Sequence, residues 1–521
     1  MSQMDDLLLT RRVERLLTPF EGQPGMTIGV VQGGRLAVHS SAGLASLELG
    51  VPIGPGTCFR IASVSKQFTC AAILLLAAEG RLGLDDRVGD HLPALTEPTA
   101  ALSLRLLMHN ASGVRDMFGI LQQGGADLAQ PCTPDMLMAG IARQRRLNFP
   151  PGSRFLYSNS NFLLLGARGR GGFGRAAGGV PGAPHLCAAR HEPDADGGEH
   201  ADRRAGPGER LPAAEGGFIR APHALPLHGE GALVSCVEDL ALWAADAETG
   251  RVGGPGLTAA LETTMDFTGG GTNLYARGLT VRSYRGVRTV SHGGLWPGFK
   301  TEFLRVPALQ ATVIVISNNG SADPTLVGHQ VLDGLIEGRP GVHPVHLPPS
   351  DAVAALLVGR LARPGERLHA GRDRRRGRPG VPHQRLCHSA RLFWRTAGSA
   401  WCAGPATFAL RVLTDDTVEV EQDAAVRTVL HRVSPGAALP DGLTGRFSSA
   451  EMAAVWTIAP DGSEVRVSGP VLAAAGPWTV EAIEGDCFRI NTPTVLARGW
   501  LDARVVREGG GVTGLLVSGT G

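Results

Sequence analysis

The sequence predicts an α/β (α+β) fold: an antiparallel sheet flanked by helices, followed by small antiparallel β-barrel domains. Three observations carry this. Four strand-like runs, Gly278–Tyr284, Val287–Ser291, Phe299–Val306 and Ala311–Ser317, follow one another across short turns, the pattern of an antiparallel sheet. An apolar run rich in helix formers, Phe68–Ala78, precedes them. Residues 406–433 and 441–521 alternate apolar and polar and are punctuated by Asp-Gly, Gly-Gly and Pro, the texture of one or two small barrels or sandwiches.

Taken in order, residues 5–18 read as an amphipathic helix. Met26–Val31 and Arg35–His39 flank Gln32-Gly-Gly34, a hairpin whose glycines supply the turn. The stretch Phe59-Arg-Ile-Ala-Ser-Val-Ser-Lys-Gln-Phe-Thr69 then opens the buried helix, and Gly80 stands where a C-terminal cap belongs. Leu102 to His109 reads as a second helical stretch, and Asn110-Ala-Ser-Gly-Val-Arg-Asp116 as a polar turn. Pro150-Pro-Gly152 starts a turn that runs into a loop or short helix carrying Tyr157, and Leu233–Trp243 reads as a turn into a helix.

A chain of 521 residues calls for two to four domains. With 43% hydrophobic and 19% charged residues it has ample material for a large core. A net charge of +2 calls for neither a nucleic-acid nor an acidic-lipid partner, and at 5% aromatics a single-strand-binding platform is disfavoured. Met1-Ser-Gln-Met-Asp-Asp6 carries acid where a signal peptide carries base, and no apolar run reaches membrane-spanning length. The eight cysteines, at 58, 70, 132, 187, 236, 387, 402 and 487, form no Cys-x-x-Cys pair, so neither a zinc ribbon nor a disulfide framework is indicated. The expectation is a cytoplasmic protein with reduced thiols.

Two windows break the pattern. Arg168 to about Glu215 is dense in Arg, Gly, Ala, Pro and His, with Phe173, Val180, Leu186 and Leu211 as its large apolar residues, too few to bury a helix face. Arg360 to about Cys402 is alike and includes Arg372-Asp-Arg-Arg-Arg-Gly-Arg-Pro379. Disordered linkers would read this way, and without aromatics around it the basic run makes a poor nucleic-acid patch. A sharper hypothesis is that both windows are translated out of frame from a G+C-rich gene.

The chemistry sits elsewhere. Ser63 and Lys66 form a Ser-x-x-Lys, which places a hydroxyl and an amine on one helix face, as an activated serine requires. Many helices carry such a pair by chance. Tyr157-Ser158-Asn159 follows a Pro-Gly turn, and a lone Tyr there reads equally as a half-buried aromatic. Ser291-His292-Gly293-Gly294 ends a strand, and its glycines allow close backbone approach.

In chain order these three elements resemble the penicillin-recognising, β-lactamase-like serine hydrolases. Ser63-Val-Ser-Lys-Gln-Phe-Thr-Cys70, the 110–116 turn, Pro151-Gly-Ser153 before Tyr157, and His292-Gly-Gly294 are similar to that family's D-stereospecific aminopeptidase branch. The resemblance spans most of 1–165 and 216–350, and more loosely 406–521. It implies a catalytic domain over 1–345, a small β domain over 346–435 and a C-terminal β-barrel domain over 436–521, with 168–215 and 360–402 anomalous. It implies Ser63 as nucleophile, Lys66 as proton relay, Tyr157 as general base, and His292 as a support for Tyr157 and substrate. Asn159 would contact the substrate amide, beside Gly293, Gly294 and Leu295, and the N–H groups of Ser63 and Leu295 would form the oxyanion hole. It implies a homodimer acting on a small peptide or amide, with no cofactor and no metal. The stretch Val471–Pro477, expected to help recognise the substrate amine, carries no acid, and Asp486 falls in the following turn. An esterase, a β-lactamase-like hydrolase or a catalytically impaired penicillin-binding fold are the alternatives.

Resequencing the coding DNA tests the frame hypothesis. Frame shifts at the borders of both windows are expected. One intact frame with uniform codon usage across 168–215 and 360–402 would sink it.

Overall fold

The four strand-like runs and the N-terminal hairpin join in a single sheet. The computed structural model describes residues 3–125, 132–167, 229–342, 438–468, 475–493 and 498–518, with the backbone of short strands at intervals in 187–220 and 360–433. Two units emerge, Met1–Val114 with Arg146–His343, and Arg115–Arg145 with Pro344–Gly521.

In the first unit, α1 (Gln3–Leu17) leads to the hairpin strands β1 (Met26–Gln32) and β2 (Arg35–Ala42). Gly33 and Gly34 form its two-residue turn at φ 53 and 75, left-handed conformations that favour glycine. Next come β3 (Phe59–Arg60), α2 (Ser65–Ala78) and α3 (Asn159–Ala167). Then follow β4 (Leu233–Ser235), α4 (Val237–Thr249), β5 (Thr280–Tyr284), β6 (Val287–Trp296), β7 (Phe299–Val306), β8 (Ala311–Ser317) and α5 (Pro324–Ile336). The main sheet runs β5-β6-β7-β8-β1-β2, with every neighbour antiparallel. β1 and β8 are distant in sequence, yet they pair from Met26 opposite Ser317 to Gln32 opposite Ala311. Their side chains are almost wholly buried, as strands covered on both faces must be. Gly29 lies against Val237 of α4, while Glu302 and Val315 meet Gly328 of α5, so helices cover both faces.

α2 is buried nearly all round, through Phe68, Ile73, Leu74 and Leu76 among others. Its end is a Schellman motif. Gly80, at φ 69, donates to Ala77 O at 3.1 Å, and Arg81 donates to Leu76 O at 3.0 Å. The apolar run and its cap residue therefore act as their composition predicted.

Two local expectations change. Leu233–Ser235 is not a turn but a strand, paired with β3. β6 does not end at Ser291 but continues through His292, Gly293 and Gly294 to Trp296. Phe303, Glu302 and Thr301 of β7 lie opposite these three residues. A neighbouring strand already in place outweighs the poor intrinsic strand preference of glycine.

The second unit holds a helix pair that sequence reading had not singled out, Met117–Gln123 and Pro134–Ala142. Asp116 caps the first by accepting from Phe118 N, and Thr133 caps the second ahead of Pro134. Seven strands from Gly445–Ser449 to Gly511–Ser518 pair in sequence order as an antiparallel, barrel-like sheet. Its core contains Trp456, Trp478, Phe488, Ile490 and Leu501. Arg507 donates to Asp441 O at 2.8 Å, which brings the segment before the first strand to the last hairpin. Trp456 Nε1 donates to Gln123 O at 2.8 Å, and Arg115 pairs with Glu451, so the helix pair belongs with this sheet. A further seven-stranded antiparallel sheet lies between Arg360 and Val433. Apart from strand backbone, both anomalous windows fall outside the described residues.

Glu302 is a buried carboxyl beneath β6, opposite Gly293, and accepts from Thr325 Oγ1 at 2.6 Å. Burial pushes it up from 4.5 to about 7, against the pull of Thr325 and Arg282. A carboxyl raised in the fold binds its proton more tightly there than in the unfolded chain. Its contribution to stability is full below about pH 4.5 and is lost as pH rises through about 7. Glu302→Gln removes this term while keeping an acceptor for Thr325. Thermal denaturation at low and high pH should show the variant gaining on the native protein as pH rises through that window. A constant difference would contradict the assignment.

Candidate active site

Ser63 lies on a short turn, Ala62–Val64, that feeds directly into α2. Ala62 sits at φ 48, a left-handed conformation that costs a non-glycine residue energy and persists only where the surroundings enforce it. The enforcement comes from β6. A Cβ on Gly294 would stand 2.3 Å from Ile61 O, so only glycine lets the strand lie against the backbone entering the turn. The glycines after His292 thus admit a segment of the chain itself.

Lys66 is wholly buried in the first turn of α2. Its Nζ donates to Ser63 Oγ at 2.9 Å, to Asn159 Oδ1 at 2.9 Å and to Glu230 O at 2.6 Å. An ammonium has three N–H donors and no lone pair, and these are three acceptors. As an ammonium, Lys66 is a donor toward Ser63. Ser63 itself is half-buried and reachable.

Asn159 is the first residue of α3, and Tyr157 precedes it. The Tyr157 ring stands with its centroid 5.0 Å from Lys66 Nζ and 6.0 Å from the His292 ring centroid. The 110–113 turn braces this segment. Asn110 Oδ1 accepts from Ser158 N at 3.1 Å and from Asn161 Nδ2 at 2.8 Å, and Ser112 Oγ donates to Asn161 Oδ1 at 2.6 Å. Asn110 adopts φ 51, which Asn tolerates better than most residues.

The segment before β4 completes the anchorage. Thr69 Oγ1 donates to Gly229 O at 2.7 Å, and Leu233 N donates to Ser65 Oγ at 3.2 Å. Residues 229–233 therefore run beside the start of α2.

His292 is buried on β6. Its Nδ1 bonds Gly293 O at 2.6 Å, and its Nε2 bonds the Tyr275 hydroxyl at 3.0 Å. A carbonyl only accepts, so Nδ1 carries the proton and Nε2 accepts from Tyr275. Burial, with Lys66 nearby, pushes His292 down to about 3. The imidazole is neutral at any ordinary pH.

Sequence reading missed Tyr275. It is buried, its carbonyl bonds His109 Nδ1 at 3.0 Å, and its ring packs against Phe155 with centroids 5.4 Å apart. Burial pushes its phenol well above the ordinary value, so it stays protonated and donates. The available signal was scarcity, since the chain has three tyrosines and two of them, Tyr157 and Tyr275, face His292. The structure brings Ser63, Lys66, Tyr157, Asn159 and His292 together, with Gly293, Gly294 and Leu295 on the same strand. Of the amine-recognition stretch, residues 471–474 lie outside the described residues, and Ala475–Pro477 open a strand. Asp486 lies in the next turn, where it accepts from Arg507 Nε at 2.8 Å.

The family model described as Beta-lactamase matches residues 13–334. A D-aminopeptidase of Cereibacter sphaeroides is 26% identical, over 97% of this chain and 96% of its own length. Among solved structures, an octameric penicillin-binding protein homologue from Pyrococcus abyssi superposes with a TM-score of 0.53 at 19% identity, covering 82% of this chain and 99% of its own. The D-amino acid amidase from Ochrobactrum anthropi SV3, complexed with D-phenylalanine, gives a TM-score of 0.52 at 20% identity, covering 64% of this chain and 98% of its own. These two likenesses are likenesses of fold.

The hydrogen bond from Tyr275 predicts a single neutral His292 tautomer, protonated at Nδ1, between about pH 5 and 8. Nitrogen-15 NMR of the histidine side chains should show it. In Tyr275→Phe the donor to Nε2 is gone, a second tautomer should appear, and stability should fall by about 1–3 kcal/mol. An unchanged spectrum would refute the pairing.

Proposed function

The chain belongs to the beta-lactamase family, and we propose that it is a serine hydrolase releasing N-terminal D-amino acids from small peptides or amides through an acyl-enzyme on Ser63. The observation that carries the serine chemistry is the 2.9 Å bond from the buried Lys66 ammonium to Ser63 Oγ. The D-stereospecific reading is supported by the D-aminopeptidase that aligns with nearly the whole chain.

In this reading the Lys66 ammonium holds Tyr157 near its phenolate form, and Ser63 Oγ attacks the scissile carbonyl while giving its proton to that phenolate oxygen. Lys66 lowers the cost of the developing alkoxide, since a buried cation 2.9 Å away acts in a medium of low dielectric. Tyr157 then returns the proton to the leaving amine, and water releases the acyl group by the reverse sequence. The N–H groups of Ser63 and Leu295 form the oxyanion hole, a device whose single donors are typically worth about 10²–10³ in turnover. Asn159, held through its Oδ1 by Lys66, contacts the substrate's peptide-like amide. His292, neutral and tied to Tyr275, packs beside Tyr157 without adding charge. Gly293, Gly294 and Leu295 offer strand edge to an extended substrate. A cytoplasmic homodimer completes the proposal.

One observation favours a second reading, an esterase on the same scaffold. The stretch at 471–477 holds no carboxylate for a substrate ammonium, and Asp486 is engaged with Arg507.

Three substrates separate the readings: D-alanine p-nitroanilide, a short-chain p-nitrophenyl ester and nitrocefin. Anilide hydrolysis with D over L preference is expected. Ester cleavage without anilide turnover would remove the aminopeptidase assignment. A fluorophosphonate should label the native protein and leave Ser63→Ala unlabelled. Tyr157→Phe should lower kcat by about 10²–10⁴ while the protein still folds, as judged by its thermal transition.

A further inference from the structure

β3 leads into the Ser63 turn, and β4 follows the segment whose Glu230 carbonyl anchors Lys66. The two strands pair antiparallel, with Phe59 opposite Ser235 and Arg60 opposite Val234. One step outward in the same register sets Cys58 opposite Cys236. Ile61 N donates to Leu233 O at 3.1 Å, which marks 61/233 as a hydrogen-bonded pair. Such pairs alternate along an antiparallel ladder, so 59/235 is of the same kind, and 58/236 is the closer, non-hydrogen-bonded kind. There, opposed Cα atoms stand about 4.5 Å apart with side chains nearest one another. A disulfide spans Cα separations of about 4.4–6.8 Å. Both cysteines are free thiols.

Their environments differ usefully. Cys58 is partly exposed, with its thiol 3.6 Å from Gly56 O. Cys236 is buried at the N-terminus of α4, and its side chain makes no capping hydrogen bond there. The neighbouring Cys58 thiol, then burial, push the Cys236 thiol up, with Asp239 also facing it, so it is the poorer attacking group.

We infer that Cys58 and Cys236 form a cross-strand dithiol that small-molecule disulfides, such as oxidised glutathione, convert to an intramolecular disulfide. Cys58 thiolate attacks one glutathione sulfur, the glutathione S–S bond breaks, and the released thiolate takes a proton. Cys236 then attacks Cys58 Sγ, displaces the second glutathione thiolate, and its proton passes to that leaving group. Two protein thiols and one small disulfide become one protein disulfide and two small thiols, a balanced two-electron exchange. The bond clamps the strand entering the Ser63 turn to the strand leaving Glu230. It closes a long loop in the unfolded chain, so oxidation stabilises the fold.

The full-length protein is incubated with oxidised glutathione, its remaining thiols are alkylated, and it is analysed by peptide mass mapping and thermal denaturation. A linked 58/236 peptide pair about 2 Da lighter than the sum of its two free-thiol peptides, and a Tm higher by several degrees, are expected. Cys58→Ser should show neither the mass loss nor the shift, and Cys236→Ala should stop at a glutathione adduct on Cys58. A stable glutathione adduct on Cys58 of the native protein would overturn the inference. So would a bridge to any other cysteine, full alkylation of both thiols, or an unchanged Tm on oxidation. The readout on the native protein stands if either variant fails to fold, and none of it depends on which substrate the enzyme takes.

Discussion

The structure turns on a buried ammonium. Lys66 is fully enclosed, and an enclosed charge without partners would cost several kcal/mol. Its three acceptors come from three stretches of chain: the turn at Ser63, the start of α3 at Asn159, and the Glu230 carbonyl before β4. Each stretch is obliged to reach the same point. The secondary contacts follow from that obligation. Asn110 and Ser112 hold the Tyr157–Asn161 segment in place, and Thr69 and Ser65 hold residues 229–233 beside α2.

The proposed division of labour rests on the same interaction. As an ammonium, Lys66 favours the alkoxide of Ser63 over its hydroxyl. In the proposed reaction the proton passes to Tyr157 as its phenolate, the form that the cation 5.0 Å from its ring favours. His292 keeps the site at one cation, because burial and Lys66 together hold the imidazole neutral. Tyr275 fixes which nitrogen carries no proton, and its own phenol is kept protonated by burial.

Backbone proximity is the second constraint. Gly294 lets β6 touch Ile61, and a Cβ on Gly278 would stand 2.6 Å from the Lys66 carbonyl, so the strand and the loop before β5 both close on the start of α2. The strained Ala62 persists inside this vice. The β3–β4 pair closes it from the other side, and it is there that two cysteines far apart in sequence are set face to face.

The elements that carry their own local code were legible in the sequence. The Gly-Gly hairpin, the apolar helix with Gly80 at its end, the four strands from 278 to 317 and the Ser63–Lys66 pair follow from spacing, turn residues and periodicity, which act over a few residues. The pairing of β1 with β8, the passage of β6 through two glycines, and the strand at 233–235 do not, because each depends on a partner strand supplied from elsewhere. Tyr275 was illegible for the same reason: nothing near it in sequence says that its hydroxyl will meet His292. Composition and local pattern thus determined which chemistry the chain could carry. Only the tertiary structure decided that Lys66 would reach Asn159 and Glu230, that His292 would be neutral and that Cys58 would face Cys236, since each of these is a property of neighbours brought from far along the chain.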